Sequence, residues 1–296
     1  MDALDLRILE CLDRNARGSY SEVAKELNVT PRSVQRRVSR MAQSGFIRSF
    51  EAVLETSAAG LAEATCDVYV QSDAPITEVR KRLLEIPGLD QILTLVGGTL
   101  VSYIHYGTRE ELEDTLTQVG NTPGVADIHY ELGPQSNTGN WSLSKSDWRI
   151  INALNHRARK EAVEISKHVG LSSKTIRSRI NELIKRRAVK FGVDVNLSKA
   201  KDLFLYMLVV RLKQGTSKDQ TTTRIRKNVP TIWREIRSIN PFVVIFSLFA
   251  ERLADLERDV ETVRLIPGIA GINVAFVTAE HRNPKWFDSL LSSKAG

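Results

Sequence analysis

The sequence predicts an α+β chain in which two helix-turn-helix domains alternate with two βαββαβ domains. Three observations carry this prediction. The stretch around Asp5 to Met41 recurs 142 positions later without a gap, after each copy the apolar period changes from helical to alternating, and positive charge concentrates in the two copies. Residues 1–50 hold 9 Lys+Arg against 6 Asp+Glu, residues 51–140 hold 4 against 14, and residues 141–191 hold 13 against 4. A strongly basic segment on a predicted helix pair suits a polyanion, and double-stranded DNA is the natural partner.

The first helix spans Asp2 to Asn15, with Leu6, Ile8, Leu9 and Leu12 as its apolar stripe. Ser19 and Glu22 form a capping box ahead of a second helix carrying Val23, Ala24 and Leu27. The third helix lies within Asn28–Ile47: Thr30 caps it, Pro31 suits its first turn, and Gly45 ends it. Val34, Val38 and Met41 fall at i, i+4 and i+7, which leaves Arg32, Ser33, Gln35, Arg36, Ser39 and Arg40 facing outward. Phe46 to Leu54 reads as a wing or linker strand. Residues 1–60 thus make the first winged helix-turn-helix domain.

From Thr65 the order is strand, helix (Ile76–Leu84), strand (Gln91–Val96), strand (Leu100–Tyr106), helix (Arg109–Val119), strand (Ala126–Leu132). This βαββαβ order is ferredoxin-like, with helices on one face of an antiparallel sheet, over residues 61–135. Residues 136–146 lie in a Gly-, Ser- and Asn-rich stretch and are expected to be a linker. In the second copy Ile176, Ile180 and Leu183 take the places of Val34, Val38 and Met41. Residues 147–200 then form the second helix-turn-helix domain, 201–282 the second ferredoxin-like domain, and 283–296 a C-terminal tail.

These motifs resemble the Lrp/AsnC, or feast/famine, family of transcription regulators. The resemblance rests on Asp5-x-x-Ile8-Leu9, Val29-Thr30-Pro31-x-x-Val34-x-x-Arg37-Val38, Ser44-Gly45-Phe46-Ile47 and a Pro-Gly turn before the last strand of each unit (Pro123-Gly124 and Pro267-Gly268). It implies sequence-specific DNA binding by the helix-turn-helix domains, and effector binding and homo-oligomerisation by the ferredoxin-like ones. In the family a Gly-x-x-Asp turn between the second and third strands contributes to an amino-acid pocket. The matching positions here, Gly97, Gly98 and Thr99, are the candidates for binding a small-molecule effector, though Leu100 follows in place of the Asp, and the second unit's turn reads Ile239-Asn240-Pro241-Phe242, with no Gly either. Fused units imply an internal pseudo-dimer.

For base edges the candidates are Arg32, Ser33, Gln35 and Arg36 in the first unit and Lys174, Thr175, Arg177 and Ser178 in the second, because each set flanks a buried stripe near a helix start. Thr30, Arg40, Lys185 and Arg186 suit phosphates. Arg37 and Arg179 either face outward with them or close a salt bridge at a helix contact.

Competing chemistry is sparse. Five histidines (His105, His129, His156, His168, His281) lack metal-ligand spacing, and no catalytic residue, cofactor or metal site is predicted. Gly97-Gly98 is also the ordinary solution for a hairpin turn. Cys11 and Cys66 read as small core residues, and neither a signal peptide nor a membrane span is evident, which predicts a cytoplasmic protein. Two alternatives stand beside it: a sirohaem decarboxylase, which resembles the same family in fold, and an architectural chromatin protein of low specificity, which the basic second half suggests.

Overall fold

In the computed structural model, which describes residues 1–133, 142–200, 203–229, 231–236, 238 and 240–295, the two units are built as the repeat requires. In the first head, helices α1 (Ala3–Arg14), α2 (Tyr20–Leu27) and α3 (Pro31–Gln43) start at Asp2, Ser19 and Thr30, each of which accepts a hydrogen bond from the third residue onward. Strand β1 (Ile47–Leu54) follows. The second head repeats this with α6 (Lys145–Leu154), α7 (Ala162–Val169), α8 (Ser173–Lys185) and strand β6 (Val189–Val195). Its ends are set differently. Gly45 closes α3 at φ 75°, whereas the matching Arg187 holds the same left-handed conformation at φ 56° with a full side chain.

The wing strands do not project separately. β1 and β6 pair antiparallel, from Ile47 opposite Val195 to Leu54 opposite Val189, so the two heads share one ribbon. Reciprocal contacts flank it: the Arg17 guanidinium lies over Phe191 and donates to the Ala158 and Lys160 carbonyls, while Arg159 lies over Phe50 and donates to the Gly18 carbonyl. Because Arg17 and Arg159 are themselves 142 apart, the heads are related by a pseudo-two-fold axis.

Strands β2 (Ala62–Val70), β3 (Leu89–Leu95), β4 (Leu100–Tyr106) and β5 (Val125–Leu132) form the first sheet, backed by α4 (Ile76–Leu83) and α5 (Arg109–Gly120). The second has β7 (Phe204–Leu212), β8 (Ile232–Ile236), β9 (Val243–Ala250) and β10 (Ile269–Arg282), backed by α9 (Lys218–Asn228) and α10 (Leu253–Arg264). The two fuse into one eight-stranded sheet of order β5-β2-β4-β3-β10-β7-β9-β8. β10 is long enough to pair with β7 up to Val277 and then, from Val277 to Arg282, with β3.

Residues expected to be a tail form a last helix, α11 (Pro284–Ala295). Its Leu291 is fully buried in the second head's core, Asp288 accepts a hydrogen bond from Asn155, and Trp286 stacks on His105 of the first sheet. Residues 134–141, most of the expected linker, lie outside the described residues, as does Ile239 of the second unit's turn. Among the described residues no helix is long and apolar enough to cross a membrane.

One carboxylate ties three domains together. Asp13 of α1 accepts hydrogen bonds from Lys190 of β6 (3.0 Å) and Arg234 of β8 (2.7 Å). Burial alone would raise its carboxyl, but Arg234 and Lys190 outweigh burial and hold it at about 2.

Candidate nucleic-acid interface

Helix α3 turns its stripe of Val34, Val38 and Met41 inward, which fixes what remains outside. Thr30, Arg32, Ser33, Gln35, Arg36 and Ser39 line one shallow depression along its front. Five of the six residues singled out in the first unit therefore come together. The Arg32, Gln35 and Arg36 side chains are exposed, and all three lack hydrogen-bond or ion-pair partners among the described residues. The Thr30 hydroxyl accepts from the Ser33 N–H at 3.2 Å, so it also fixes the helix start.

Arg40 behaves differently from the expectation. Its Nη2 lies 2.6 Å from Oδ2 of the fully buried Asp5, while Arg37 Nη1 lies 2.8 Å from Asp5 Oδ1 and 2.7 Å from Asp2. A carboxylate cannot stay buried and charged without such partners, so Arg37 and Arg40 fasten α3 to α1. Arg37 thus takes the structural of its two readings, and any phosphate contact from Arg40 competes with Asp5. The sequence did not reveal this because Asp5 and Arg40 meet only once the helices pack.

The second head presents Lys174, Thr175, Arg177 and Ser178, all exposed on the side of α8 away from Ile176, Ile180 and Leu183. The Thr175 hydroxyl shares a 2.8 Å hydrogen bond with Ser172 at the helix start. Lys185 is exposed and unpaired among the described residues, whereas Arg186 is held by Glu182 one turn back. Arg179 reaches Asp147 at 3.5 Å, reproducing the Arg37–Asp5 pair. Neither α3 nor α8 has an acidic residue in its first turn, so the positive end of each helix dipole is left for an anion. The chemistry offered is Arg and Gln forks, hydroxyls and free ammonium groups on two helices whose heads share the β1–β6 ribbon, which suits base edges flanked by phosphates.

Gly97, Gly98 and Thr99 lie elsewhere. Gly97 and Gly98 both adopt φ 93° and close the β3–β4 hairpin, with the Leu95 N–H donating to the Thr99 carbonyl at 2.9 Å. They do not line the molecule's large cavity, about 830 Å³, which sits between the helix-free faces of the two sheets. The sequence signal for that cavity was the polar alternation Glu63-Thr65-Asp67 within an otherwise apolar strand.

The AsnC-type helix-turn-helix domain family matches the chain twice, at residues 1–42 and 143–184. The chain is 30% identical over 128 residues to the HTH-type transcriptional regulator LysM of Saccharolobus solfataricus, spanning 42% of this chain and 87% of that protein. Against the regulator of the same name from Sulfurisphaera tokodaii it is 31% identical over 114 residues, 36% of this chain and 80% of the other. Each match has about the length of one unit. Among solved structures, the siroheme decarboxylase NirDL superposes over 99% of both chains with a TM-score of 0.59 and 14% identity, which is a likeness of fold.

Proposed function

Because the chain belongs to the Lrp/AsnC family of DNA-binding transcription regulators, with two units in tandem, we propose that it reads two unlike half-sites, one with α3 and one with α8. The observation that supports this most is the shared β1–β6 ribbon with its reciprocal Arg17 and Arg159 contacts, which sets both heads in one pseudo-symmetric pair. Joining the heads makes the second binding event intramolecular, so two modest contacts yield tight binding. The exposed sets differ, Arg32, Gln35 and Arg36 against Lys174, Arg177 and Ser178, so the preferred bases differ too. Selection from random duplexes should return two half-sites of different sequence at fixed spacing; a perfect palindrome would overturn the proposal.

A second reading, an enzyme acting on a siroheme-like tetrapyrrole, draws support from the whole-length likeness to NirDL. Against it stands the wall chemistry of the space between the sheets, where, among the described residues, Glu63, Asp67 and Glu131 outnumber Arg211, the one Arg or Lys there. A tetrapyrrole bearing several carboxylates would meet repulsion at that wall. Titration with sirohaem separates the readings: saturable one-to-one binding seen as a Soret shift would favour the enzyme.

A further inference from the structure

Helix α11 bridges two domains. Asn283, just ahead of it, donates to the Leu84 carbonyl at 2.8 Å, and the Trp286 indole stacks on the His105 ring with centroids 4.9 Å apart and planes 13° apart, so the helix starts on the first sheet domain. Its far end is anchored in the second head, where Leu291 is fully buried and the Ala295 carbonyl accepts from Arg149 at 3.3 Å. The helix thus straps the second reading head to the first ferredoxin-like domain.

Two histidines touch this strap, and each lies between two carboxylates. His105 of β4 has Nε2 3.4 Å from Asp90 of β3 and Nδ1 3.9 Å from Glu63 of β2. His156, in the turn between α6 and α7, has Nδ1 3.2 Å from Glu51 of β1 and Nε2 3.5 Å from Asp288 of α11. A neutral imidazole carries one N–H and one lone pair, so in either tautomer a lone pair faces a carboxylate; only the imidazolium donates on both sides. The His105 side chain is 8% exposed, and its buried Nδ1 makes no hydrogen bond among the described residues. His156 holds a left-handed φ of 56°, a conformation that favours glycine, so its ring is kept in place at a cost in backbone strain. The other charges around the two rings are matched. In the cavity of about 580 Å³ beside them, Arg282 of β10 is bound by Glu51 and Glu280, Arg48 of β1 by Asp194 of β6, and Lys190 and Arg234 by Asp13. Asp288 also accepts from the uncharged Asn155, while Arg157 and Lys285, next in sequence to His156 and Trp286, are exposed. His281 of β10 takes no part, since burial, Arg80 and Arg48 hold its ring below the ordinary histidine range.

We propose that α11 is a proton-controlled strap: protonation of His105 and His156 locks it across the first sheet and the second head, and loss of those protons loosens it. Each imidazolium adds an N–H donor towards a carboxylate that a neutral ring meets with a lone pair, and the charge on His105 lies against the face of Trp286. The locked strap therefore binds more protons than the loosened one, so it is favoured as pH falls through the histidine range, about 6 to 7, and is lost as pH rises. The strap itself does not depend on the reading of the chain as a regulator; only its consequence for DNA affinity rests on that reading.

The test is amide hydrogen exchange of the full chain without DNA, at about pH 6 and about pH 8, with each amide corrected for the intrinsic pH dependence of exchange. Protection of the α11 amides is expected to be about tenfold higher at the lower pH, and that of α9 equal at both. His105→Gln and His156→Asn should each remove part of this dependence and together remove all of it, since neither replacement titrates and Asn tolerates the left-handed backbone at 156. His168→Gln, at an exposed position of α7, should leave it intact. If one of the two histidine variants does not fold, the other carries the same test. Protection of α11 that is equal at both pH values, that rises with pH, or that keeps its full pH dependence in the variants would each overturn the proposal. Gel shifts with a DNA fragment, run separately, keep the two ideas apart: an α11 that ignores pH in a chain that binds DNA refutes only the strap, and a pH-responsive α11 in a chain that binds none refutes only the regulator reading.

Discussion

Arg36 and Lys185 are both exposed cations on reading helices, yet they should fail in different ways. Arg36 sits in the front depression of α3, where a guanidinium can bridge guanine O6 and N7. Arg36→Ala should cost about 1–3 kcal/mol at one half-site and relax base preference there. Lys185 lies in the last turn of α8, away from the groove-facing start, so Lys185→Ala should weaken all sequences alike and reduce the salt slope by about 1. Titration of each variant against matched and scrambled duplexes at several salt concentrations checks both. Asp13 carries a different burden. Removing its charge leaves Arg234 and Lys190 facing each other at a junction of three domains, so Asp13→Asn should destabilise the chain by about 3 kcal/mol in a urea titration. Its carboxyl is held low, so its contribution is full above the ordinary carboxylate range and is lost as pH falls from near 4 through about 2. The wild type should therefore lose stability across that acid window more steeply than the Asn variant.

At the scale of elements, the head helices were legible in the sequence because caps and stripes are local. Asp2, Ser19 and Thr30 stand where they start helices, and the third stripe is repeated 142 residues on. The sheets were legible as alternation. What stayed hidden depends on pairing between distant strands, which leaves no period: β1 with β6, and the second half of β10 with β3. Helix α11 escaped notice because, among the described side chains of its segment, only Leu291 is fully buried, too little to write a stripe. Leu291→Ala should nonetheless cost about 3 kcal/mol, since it opens a cavity in the second head's core. Arg187 offers the opposite case. It occupies a left-handed conformation where the first unit has Gly45, so Arg187→Gly should raise stability by about 1 kcal/mol in thermal melts, and a loss instead would mean that its side chain supports the α8–β6 corner.

For the whole molecule, duplication and divergence explain the design better than symmetry does. The heads kept their fold and their shared ribbon, while the acidic first ferredoxin-like domain and the more basic second half drifted apart in charge. The first head packs on the free faces of the sheets through Leu93, Met207 and Phe249, whereas the second packs on α11. Unequal mounting of two unlike readers implies one defined orientation on DNA, which a symmetric dimer cannot have. The most direct measurement is a gel-shift competition on a selected site, at stated salt, comparing wild type with Arg36→Ala and Arg177→Ala across duplexes mutated in one half or the other. Each variant is predicted to lose discrimination in a different half-site and retain it in the other. Uniform loss of affinity by both variants on every duplex would contradict the assignment of α3 and α8 as separate readers.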